Sequence, residues 1–221
     1  MSRKPVSTAH RFLKYANGIG ALAFPPHGTP YVFDSSKFNT GGALIELSFA
    51  YAKVIAEQLG KNMFRFDALH SPQGKKAHLA SAVAQAMSYI GIGSYPFSST
   101  YIDDCGDIKQ SGAVLDGKDV LLVSSVATDA EDEKDAAHEI EIGNGRLSGL
   151  IVAFDPQEEH ARGRTIVQEF ARENKIPVIA IATAADLLTL LEQTPPESGD
   201  DQVGELFNRM NSFYRSACVA A

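Results

Sequence analysis

The sequence contains little cysteine, fewer basic than acidic residues and no long apolar run. Its two cysteines, Cys105 and Cys218, are too few for a disulfide framework. A formal net charge of −7 disfavours nucleic-acid binding, because contact with phosphates requires a clustered basic surface. No apolar segment approaches the roughly 20 residues that cross a bilayer, and none follows the basic N-terminus as in a signal peptide. We therefore expect a cytoplasmic protein with neither nucleic-acid nor membrane partners.

The sequence also lacks the short motifs that identify common catalytic sites. It has no phosphate-binding P-loop, no dinucleotide fingerprint, no nucleophile elbow and no zinc-protease motif. A metal site stays open at three histidines and two neighbouring acids, namely His70, His78, His138, Glu139 and Glu141. Such residues are more often solvated surface groups than metal ligands. A nucleophile stays open at Ser124 or Ser125, although no nearby base is placed to activate either hydroxyl.

Segments that resemble strands alternate with segments long enough for helices, which predicts an α/β fold with a central parallel sheet. The predicted strands are Pro30–Phe33, Met63–Leu69, Ile90–Phe97, Val120–Val126, Gly149–Phe154 and Val178–Ala182. The predicted helices are Ala43–Leu59, Gln157–Asn174 and Ala184–Glu192. A chain of 221 residues with 44% hydrophobic content can bury a sizeable core.

The C-terminal segment differs in composition from the rest of the chain. A linker rich in proline, glycine and acids, Thr194–Asp201, precedes Gln202–Ala217, whose apolar residues repeat with the period of a helix. These apolar residues are Val203, Leu206, Met210 and Phe213. We expect a principal domain over residues 1–193. Over residues 194–221 we expect a linker and a helix that docks on the domain or contributes to a dimer.

The stretch Gly117–Asp132, GKDVLLVSSVATDAED, combines a buried strand with an acidic helix start. Its apolar run Val120–Val123 predicts a strand, and ligands bind at the C-terminal ends of such strands in open α/β sheets. Thr128 and Glu131 fit a capping box, in which each side chain accepts from the backbone N–H of the other residue. We therefore expect the protein's own carboxylates to satisfy this helix start, because acids also suit the helix dipole there.

Five segments follow one another in a recognisable order. They are PYVF with FNTG (Pro30–Phe33 and Phe38–Gly41), SPQGKKAHLA (Ser71–Ala80), the stretch Gly117–Asp132, FDPQEEHARGR (Phe154–Arg164) and VIAIATAADLLTLLE (Val178–Glu192). Together they resemble the orotate phosphoribosyltransferases over about three quarters of the chain. The resemblance implies a type I phosphoribosyltransferase fold, with a central parallel sheet, flanking helices and a small N-terminal hood, in a homodimer. It also implies transfer of phosphoribose from phosphoribosyl pyrophosphate to orotate with Mg²⁺.

The aligned sugar-phosphate site departs from the family pattern. Two family acids that bind the ribose hydroxyls of phosphoribosyl pyrophosphate align with Ser124 and Ser125. The family loop that holds the 5-phosphate through backbone N–H groups aligns with Thr128, Asp129, Ala130, Glu131 and Asp132. Ala130 lacks the freedom of glycine to adopt a positive φ, and the acids oppose a bound phosphate. The resemblance therefore predicts a degenerate phosphate site.

Other aligned ligand positions differ as well. The family's cationic mobile loop aligns with Ser98–Gly112. Its basic residues are replaced there by Ser98, Ser99, Ile102 and Asp104. A lysine and an arginine on the orotate side align with Phe24 and Pro156. Lys75 aligns with a pyrophosphate-binding lysine and is retained as a possible phosphate contact. Asp155, Gln157 and Glu158 are retained as well, but they fit surface and loop residues equally well. Losing this many charged contacts to the transition state is expected to reduce catalysis strongly.

We interpret the sequence as that of a homologue that kept the fold, lost its catalytic residues and acts as a binding or regulatory subunit. No cofactor and no metal are expected for that function, and the expected assembly is a homodimer or a heteromer with an active relative. One alternative is an active phosphoribosyltransferase that uses Mg²⁺ and acts on orotate or a related base, which the retained Lys75 and Thr128 favour. Another is a small-molecule sensor whose cleft takes a neutral or cationic ligand, because the cleft has changed from basic towards acidic.

Overall fold

The computed structural model describes residues 7–27, 29–72, 78–102, 105, 108–126, 130–161, 163–193 and 201–218. The strands are β1 (Leu22–Ala23), β2 (Val32–Phe33), β3 (Ala68–Ser71), β4 (Phe97–Ile102), β5 (Ile108–Gly112), β6 (Asp119–Val126), β7 (Arg146–Asp155), β8 (Glu159–Ala161), β9 (Arg164–Thr165) and β10 (Val178–Thr183). The helices are α1 (Thr8–Gly18), α2 (Gly41–Gly60), α3 (Leu79–Tyr89), α4 (Glu131–Ile142), α5 (Ile166–Asn174), α6 (Ala184–Glu192) and α7 (Asp201–Ala217), with a 3₁₀ turn at Ser35–Lys37.

A central six-stranded sheet confirms the predicted α/β class. Its strand order is β10-β7-β6-β3-β4-β5, and every neighbouring pair is parallel except β4 and β5. The sheet therefore turns its C-terminal strand ends, where ligands bind in open α/β folds, towards one edge.

The two faces of the sheet are covered by different helices. Along β6, Leu121 and Val123 belong to the larger core with α2 and α3, whereas Val120 and Leu122 belong to the core with α4 and α5. This alternation follows from the two-residue period of a strand. Because both faces are covered, β6 contains the continuous apolar run Val120–Val123, by which it was recognisable as a buried strand.

An N-terminal hood lies beside the end of β7. It consists of α1 and the antiparallel β1–β2 pair. Phe33 of the hood stacks on Phe154 of β7 with ring centroids 5.0 Å apart and an interplanar angle of 5°. Tyr31 meets the same ring edge-on at 5.6 Å. These aromatic contacts position the hood next to the C-terminal strand ends.

Helix α7 packs on the principal core. Met210 is fully buried in that core, and Leu206 and Phe213 pack against it. Arg209 donates a hydrogen bond to the Pro25 carbonyl at 2.9 Å, which joins α7 to the hood. The side chain of Val203, the remaining member of the predicted apolar stripe, lies outside the described residues. No helix in the described part of the chain is long and apolar enough to span a bilayer.

Several element predictions were wrong. The predicted strand Ile90–Phe97 is mostly turn and loop, and β4 begins only at its last residue. Only Ala68 and Leu69 of the predicted strand Met63–Leu69 are in β3. The first half of the predicted helix Gln157–Asn174 is the β8–β9 pair. Gly163 has a positive φ of 73° there, and α5 begins after a capping box formed by Thr165 and Gln168.

Candidate functional site

The end of β6 is tied to the helices on both sides of the sheet. Ser124 is 0% exposed, and its hydroxyl donates a hydrogen bond to Oε1 of Glu133 on α4. Tyr51 of α2 donates its hydroxyl proton to the backbone carbonyl of Ser124. Burial and then the Glu133 carboxylate raise the pKa of Tyr51 well above its usual range, so this phenol remains a donor. Ser125 is buried as well.

Helix α4 begins later than the capping box predicted. Its N-cap residue is Ala130, which has no side chain capable of accepting a hydrogen bond, and Glu131 is the first helical residue. A Thr128–Glu131 capping box would make Glu131 the third helical residue, whereas it is the first, so the predicted helix start is two residues too early. The acids of the first turn, Glu131, Asp132 and Glu133, do suit the helix dipole. Thr128 and Asp129 lie outside the described residues.

Ala130 adopts the left-handed backbone conformation that we expected glycine, but not alanine, to adopt. Its φ is 59° and its ψ is 14°, and the residue is buried in the core beneath α4 and α5. The expectation that Ala130 would avoid positive φ was therefore wrong. Left-handed geometry costs an L-residue roughly 1–2 kcal/mol. The tight turn into α4 is thus kept without the residue that adopts it most easily.

The segment predicted as a mobile loop contains two paired strands. Within Ser98–Gly112, β4 and β5 are antiparallel, with Ser98 opposite Gly112 and Ser99 opposite Ser111. Ser98 is buried, and Ile102 is the last residue of β4. The β-branched and aromatic residues of FSSTYI favour a strand. Asp104 lies outside the described residues, as does Lys75.

The two residues that align with orotate-binding positions, Phe24 and Pro156, lie in different parts of the structure. Phe24 is half-buried against the larger core and does not line a cavity that the described residues form near the sheet. Pro156 follows β7, and its carbonyl accepts hydrogen bonds from the Tyr31 hydroxyl at 3.1 Å and the Cys218 thiol at 3.5 Å. The loop after β7 is therefore held by the hood and by the end of α7.

A cavity of about 310 Å³ opens at this loop. Its lining comprises Thr29, Tyr31, Val32, Phe33, Phe154, Asp155, Pro156, Glu158, Glu159, His160 and Ile166. Three of these residues are carboxylic acids, and no lysine or arginine is among the described lining residues. We call this site the acidic cavity. Asp155 and Glu158 were recognisable in the sequence, whereas Glu159 and the aromatic wall were not, since these meet only through the hood.

The loop after β7 is ordered by short hydrogen bonds. Asp155 is 8% exposed, and its Oδ1 accepts from the backbone N–H of Gln157 at 2.8 Å. Gln157 is buried with a positive φ of 55°, and its Oε1 accepts from the N–H of Ala185 on α6 at 2.9 Å. Asp155 and Gln157 are therefore buried parts of the loop rather than surface residues. Burial raises the pKa of the Asp155 carboxyl group.

Two further groups beside the acidic cavity, a thiol and a phenol, have raised pKa values. Burial, followed by the Glu158 and Asp155 carboxylates, raises the pKa of the Cys218 thiol to about 11. Burial first, and then Glu158, raise the pKa of Tyr31 well above its usual range. Both groups therefore stay protonated near neutral pH. These two side chains add hydrogen-bond donors but no positive charge.

A layer of buried polar side chains lies between the sheet and α4. His70 of β3 contacts the Ser98 hydroxyl through Nδ1 at 2.8 Å and Oε2 of Glu139 through Nε2 at 3.3 Å. Thr100 donates to the same Glu139 oxygen at 2.5 Å, while Glu139 Oε1 has no partner among the described residues. Together with the Ser124–Glu133 pair we call these residues the polar layer. The sequence did not predict the His70–Glu139 contact, because the two residues are 69 positions apart.

The histidines considered for a metal site do not come together. His70 is buried, whereas His138 is largely exposed and lies 3.9 Å from the carboxylate of Glu141. Within the described ranges, no group of three or more histidine, cysteine or acidic side chains has the geometry of a metal site. Mg²⁺ prefers carboxylate and water oxygens. The hydroxyls of Ser124 and Ser125 are not such ligands, so the end of β6 does not fit the Mg²⁺ that the family resemblance implies.

Comparisons with known proteins point to one enzyme family. No family model matches the chain. The chain is 32% identical over 208 residues to the orotate phosphoribosyltransferase of Stenotrophomonas maltophilia (strain K279a), which covers 90% of this chain and 93% of the relative. It is 36% identical over 191 residues to that of Xanthomonas campestris pv. campestris (strain B100), with 80% and 84% covered.

The fold comparison agrees with the sequence comparison. A crystal structure of orotate phosphoribosyltransferase from Francisella tularensis matches with a TM-score of 0.78. The match covers 94% of this chain and 99% of that chain at 19% sequence identity. The shared fold includes the strand-end edge at which both Ser124 and the acidic cavity lie.

Proposed function

The chain belongs to the orotate phosphoribosyltransferase family, and from this premise we propose that it keeps the fold without catalysing phosphoribosyl transfer. It acts instead as a binding or regulatory subunit. The relatives carry the name of the active enzyme, so the proposal depends on how this chain's own residues differ at the strand ends.

The hydrogen bond from Ser124 to Glu133 carries the proposal. Where the family resemblance implies an acid that binds ribose hydroxyls, this chain has a fully buried hydroxyl. Its proton is donated into the interior, to a glutamate of α4 that is 1% exposed. A hydroxyl committed in this way supports a structural role for the end of β6. Neither charge of the aligned acid pair is present to hold the sugar.

The acidic cavity supports the same proposal. Orotate and phosphoribosyl pyrophosphate are anions, and each carboxylate about 6 Å from an anionic group opposes it by roughly 0.7–3 kcal/mol for effective dielectric constants of about 80 to 20. The repulsive energies from Asp155, Glu158 and Glu159 would add together. An active glycosyltransferase is the alternative, and the identity to relatives named orotate phosphoribosyltransferase favours it.

The test is turnover and ligand binding by the purified chain. It is incubated with millimolar phosphoribosyl pyrophosphate, Mg²⁺ and orotate, with the Stenotrophomonas maltophilia relative assayed in parallel as the active control. A ligand at about 100 times its dissociation constant stabilises a fold by about 2.7 kcal/mol. For a chain of this size that is a Tm increase of roughly 5–10 °C. We expect neither this increase nor orotidylate above the enzyme-free blank.

Restoring the acid pair provides a second test. Ser124→Asp with Ser125→Asp is expected to remain inactive, because the aligned phosphate loop and basic positions are still altered. Orotidylate formation by the unaltered chain would overturn the proposal and support the active alternative with Mg²⁺.

We also propose a homodimer, as the family resemblance implies, with no cofactor of its own. Light scattering at micromolar concentration tests the assembly, and a monomer would contradict it. Native mass spectrometry of protein from its own cells would reveal a heteromer with an active relative. The cytoplasmic location stays a prediction.

A further inference from the structure

The acidic cavity has the walls of a small-molecule site. Its volume of about 310 Å³ is at the lower end of the range of ligand pockets, roughly 300–1,000 Å³. Tyr31, Phe33 and Phe154 form an aromatic cluster on one side, with Phe33 and Phe154 stacked in parallel. Rings packed against one another in this way form a rigid wall that keeps the cavity open.

The charged groups of the cavity are all of one sign apart from a histidine. Asp155, Glu158 and Glu159 line it together with His160. Glu159 Oε1 accepts from the N–H of Gly163 at 3.1 Å, which fixes one oxygen of that carboxylate. No lysine or arginine lines the cavity within the part of the chain that the structure describes.

Asp155 provides the observation that points to a ligand. It lines the cavity although it is more than nine-tenths buried. One of its oxygens accepts from the Gln157 N–H, and the other receives no hydrogen bond from the described residues. A buried carboxylate is costly unless it is paired, hydrogen-bonded or protonated. The raised pKa of Asp155 reflects this unfavourable burial.

We propose that the acidic cavity binds a small organic cation with a flat apolar body, such as an aromatic amine or amidine. The positive group lies against Asp155 and Glu158, and the flat body lies against the Tyr31 and Phe33 side of the cavity. This inference rests on the proposed function, because a cleft that still accepts orotate would have to attract an anion.

Two kinds of interaction favour a cation over its neutral or anionic counterparts. A carboxylate that is partly desolvated attracts a cation more strongly than it would in water, because the effective dielectric constant is lower. The faces of aromatic rings also attract cations within about 6 Å. A carboxylate ligand of the same shape meets repulsion from three acids at the same site, which provides selectivity between ligands of equal size.

Benzamidine and benzoate form a matched pair of probes, because they have similar flat shapes and opposite charges. Isothermal titration calorimetry of the full chain near neutral pH and low salt is expected to give benzamidine a dissociation constant of about 1 mM or tighter. Benzoate is expected to bind at least about tenfold more weakly. Added salt should weaken benzamidine binding, because it screens the partly exposed carboxylates.

Two variants test the assignment of residues. Glu158→Gln removes an exposed carboxylate and is expected to weaken benzamidine binding about three- to tenfold. Asp155→Asn removes the buried one and should weaken it further, but this change also affects folding, so Glu158→Gln remains the cleaner test. Glu57→Gln, on the exposed side of α2 and away from the cavity, is the control and should leave the dissociation constant unchanged.

The outcomes separate this inference from the proposed function. Equal binding of benzamidine and benzoate, or a benzamidine affinity unchanged by Glu158→Gln, would overturn the inference. Absence of benzamidine binding together with absence of turnover would overturn the inference and leave the proposed function standing. Orotidylate formation would overturn the proposed function, and orotate binding at the same site at least as tight as benzamidine binding would overturn the inference.

Discussion

The polar layer and the acidic cavity both contain buried carboxylates, but these carboxylates differ in their partners. Glu133 accepts from Ser124, and Glu139 accepts from Thr100 and contacts His70, so the polar layer is built from side chains of the protein itself. Asp155 in the acidic cavity accepts only from the adjacent backbone among the described residues. Buried carboxylates are therefore structural in one region and available to an external group in the other.

This difference indicates how a sheet edge that the resemblance assigns to catalysis takes on a structural role. The strand that the resemblance assigns to ribose binding now directs its first hydroxyl into the polar layer. The loop after β7 forms a concave surface whose acids meet no lysine or arginine among the described lining residues. Substitutions in the polar layer should therefore reduce stability, whereas substitutions in the acidic cavity should change ligand binding and pH dependence.

The largest effect is expected for His70→Leu. This change removes the imidazole from both Oε2 of Glu139 and the Ser98 hydroxyl, and each buried polar group that loses a partner costs about 1–3 kcal/mol. Urea unfolding followed by circular dichroism measures the loss. The exposed His138→Ala is the control and should change stability by less than about 0.5 kcal/mol. The double variant His70→Leu with Glu139→Leu should be more stable than His70→Leu alone, and a less stable double variant would contradict this account.

A smaller loss is expected for Ser124→Ala. Removing the hydroxyl deprives the buried Glu133 oxygen of a donor, which costs about 1–3 kcal/mol. The carbonyl of residue 124 still accepts from Tyr51, so the link to α2 is retained. The same unfolding measurement applies. A neutral result would show that Ser124 is not a structural contact and would favour a role at a ligand site.

Asp155→Asn should increase the free energy of unfolding near neutral pH, whereas the polar-layer variants should decrease it. Because burial raises the pKa of Asp155 in the folded state, its stabilising contribution is full below the unfolded pKa of about 3.9 and is lost as pH rises through the folded pKa. At about pH 7 the folded protein must hold a buried carboxylate, so the neutral variant should be more stable. The gain should shrink as pH falls towards about 4. A pH-independent difference, measured by urea unfolding across this range, would contradict the assignment.

The smallest effect is expected for Ala130→Gly. Glycine removes left-handed strain of roughly 1–2 kcal/mol, but it increases the entropy of the unfolded chain by about 0.4–1 kcal/mol and loses a buried methyl group worth about 0.8 kcal/mol. The net change in the free energy of unfolding should stay within about 1 kcal/mol. Ala130→Val, which is β-branched, should be clearly destabilised at this φ. A stable valine variant would show that the backbone at this position has relaxed.

The sequence by itself determined the strands and helices whose formation depends on residues close together in the chain. The continuous apolar run of β6, the amphipathic period of α2 and α7, and the start of α6 at Ala184 were all recognisable because side-chain burial repeats with the backbone geometry. The alternation of these elements was sufficient to predict a parallel sheet. The acids at the start of α4 were likewise predicted to suit its dipole, which the structure confirms.

Contacts between distant residues were decided only by the tertiary structure. His70 meets Glu139 because β3 lies under α4, and Tyr31 reaches Pro156 across 125 positions because the hood lies beside β7. The capping box at Thr128 was a valid local pattern, but the helix starts two residues later, after the left-handed Ala130. Sequence shows which side chains are able to pair, whereas the packing of strands and helices determines which of them do, because burial excludes water as the competing partner.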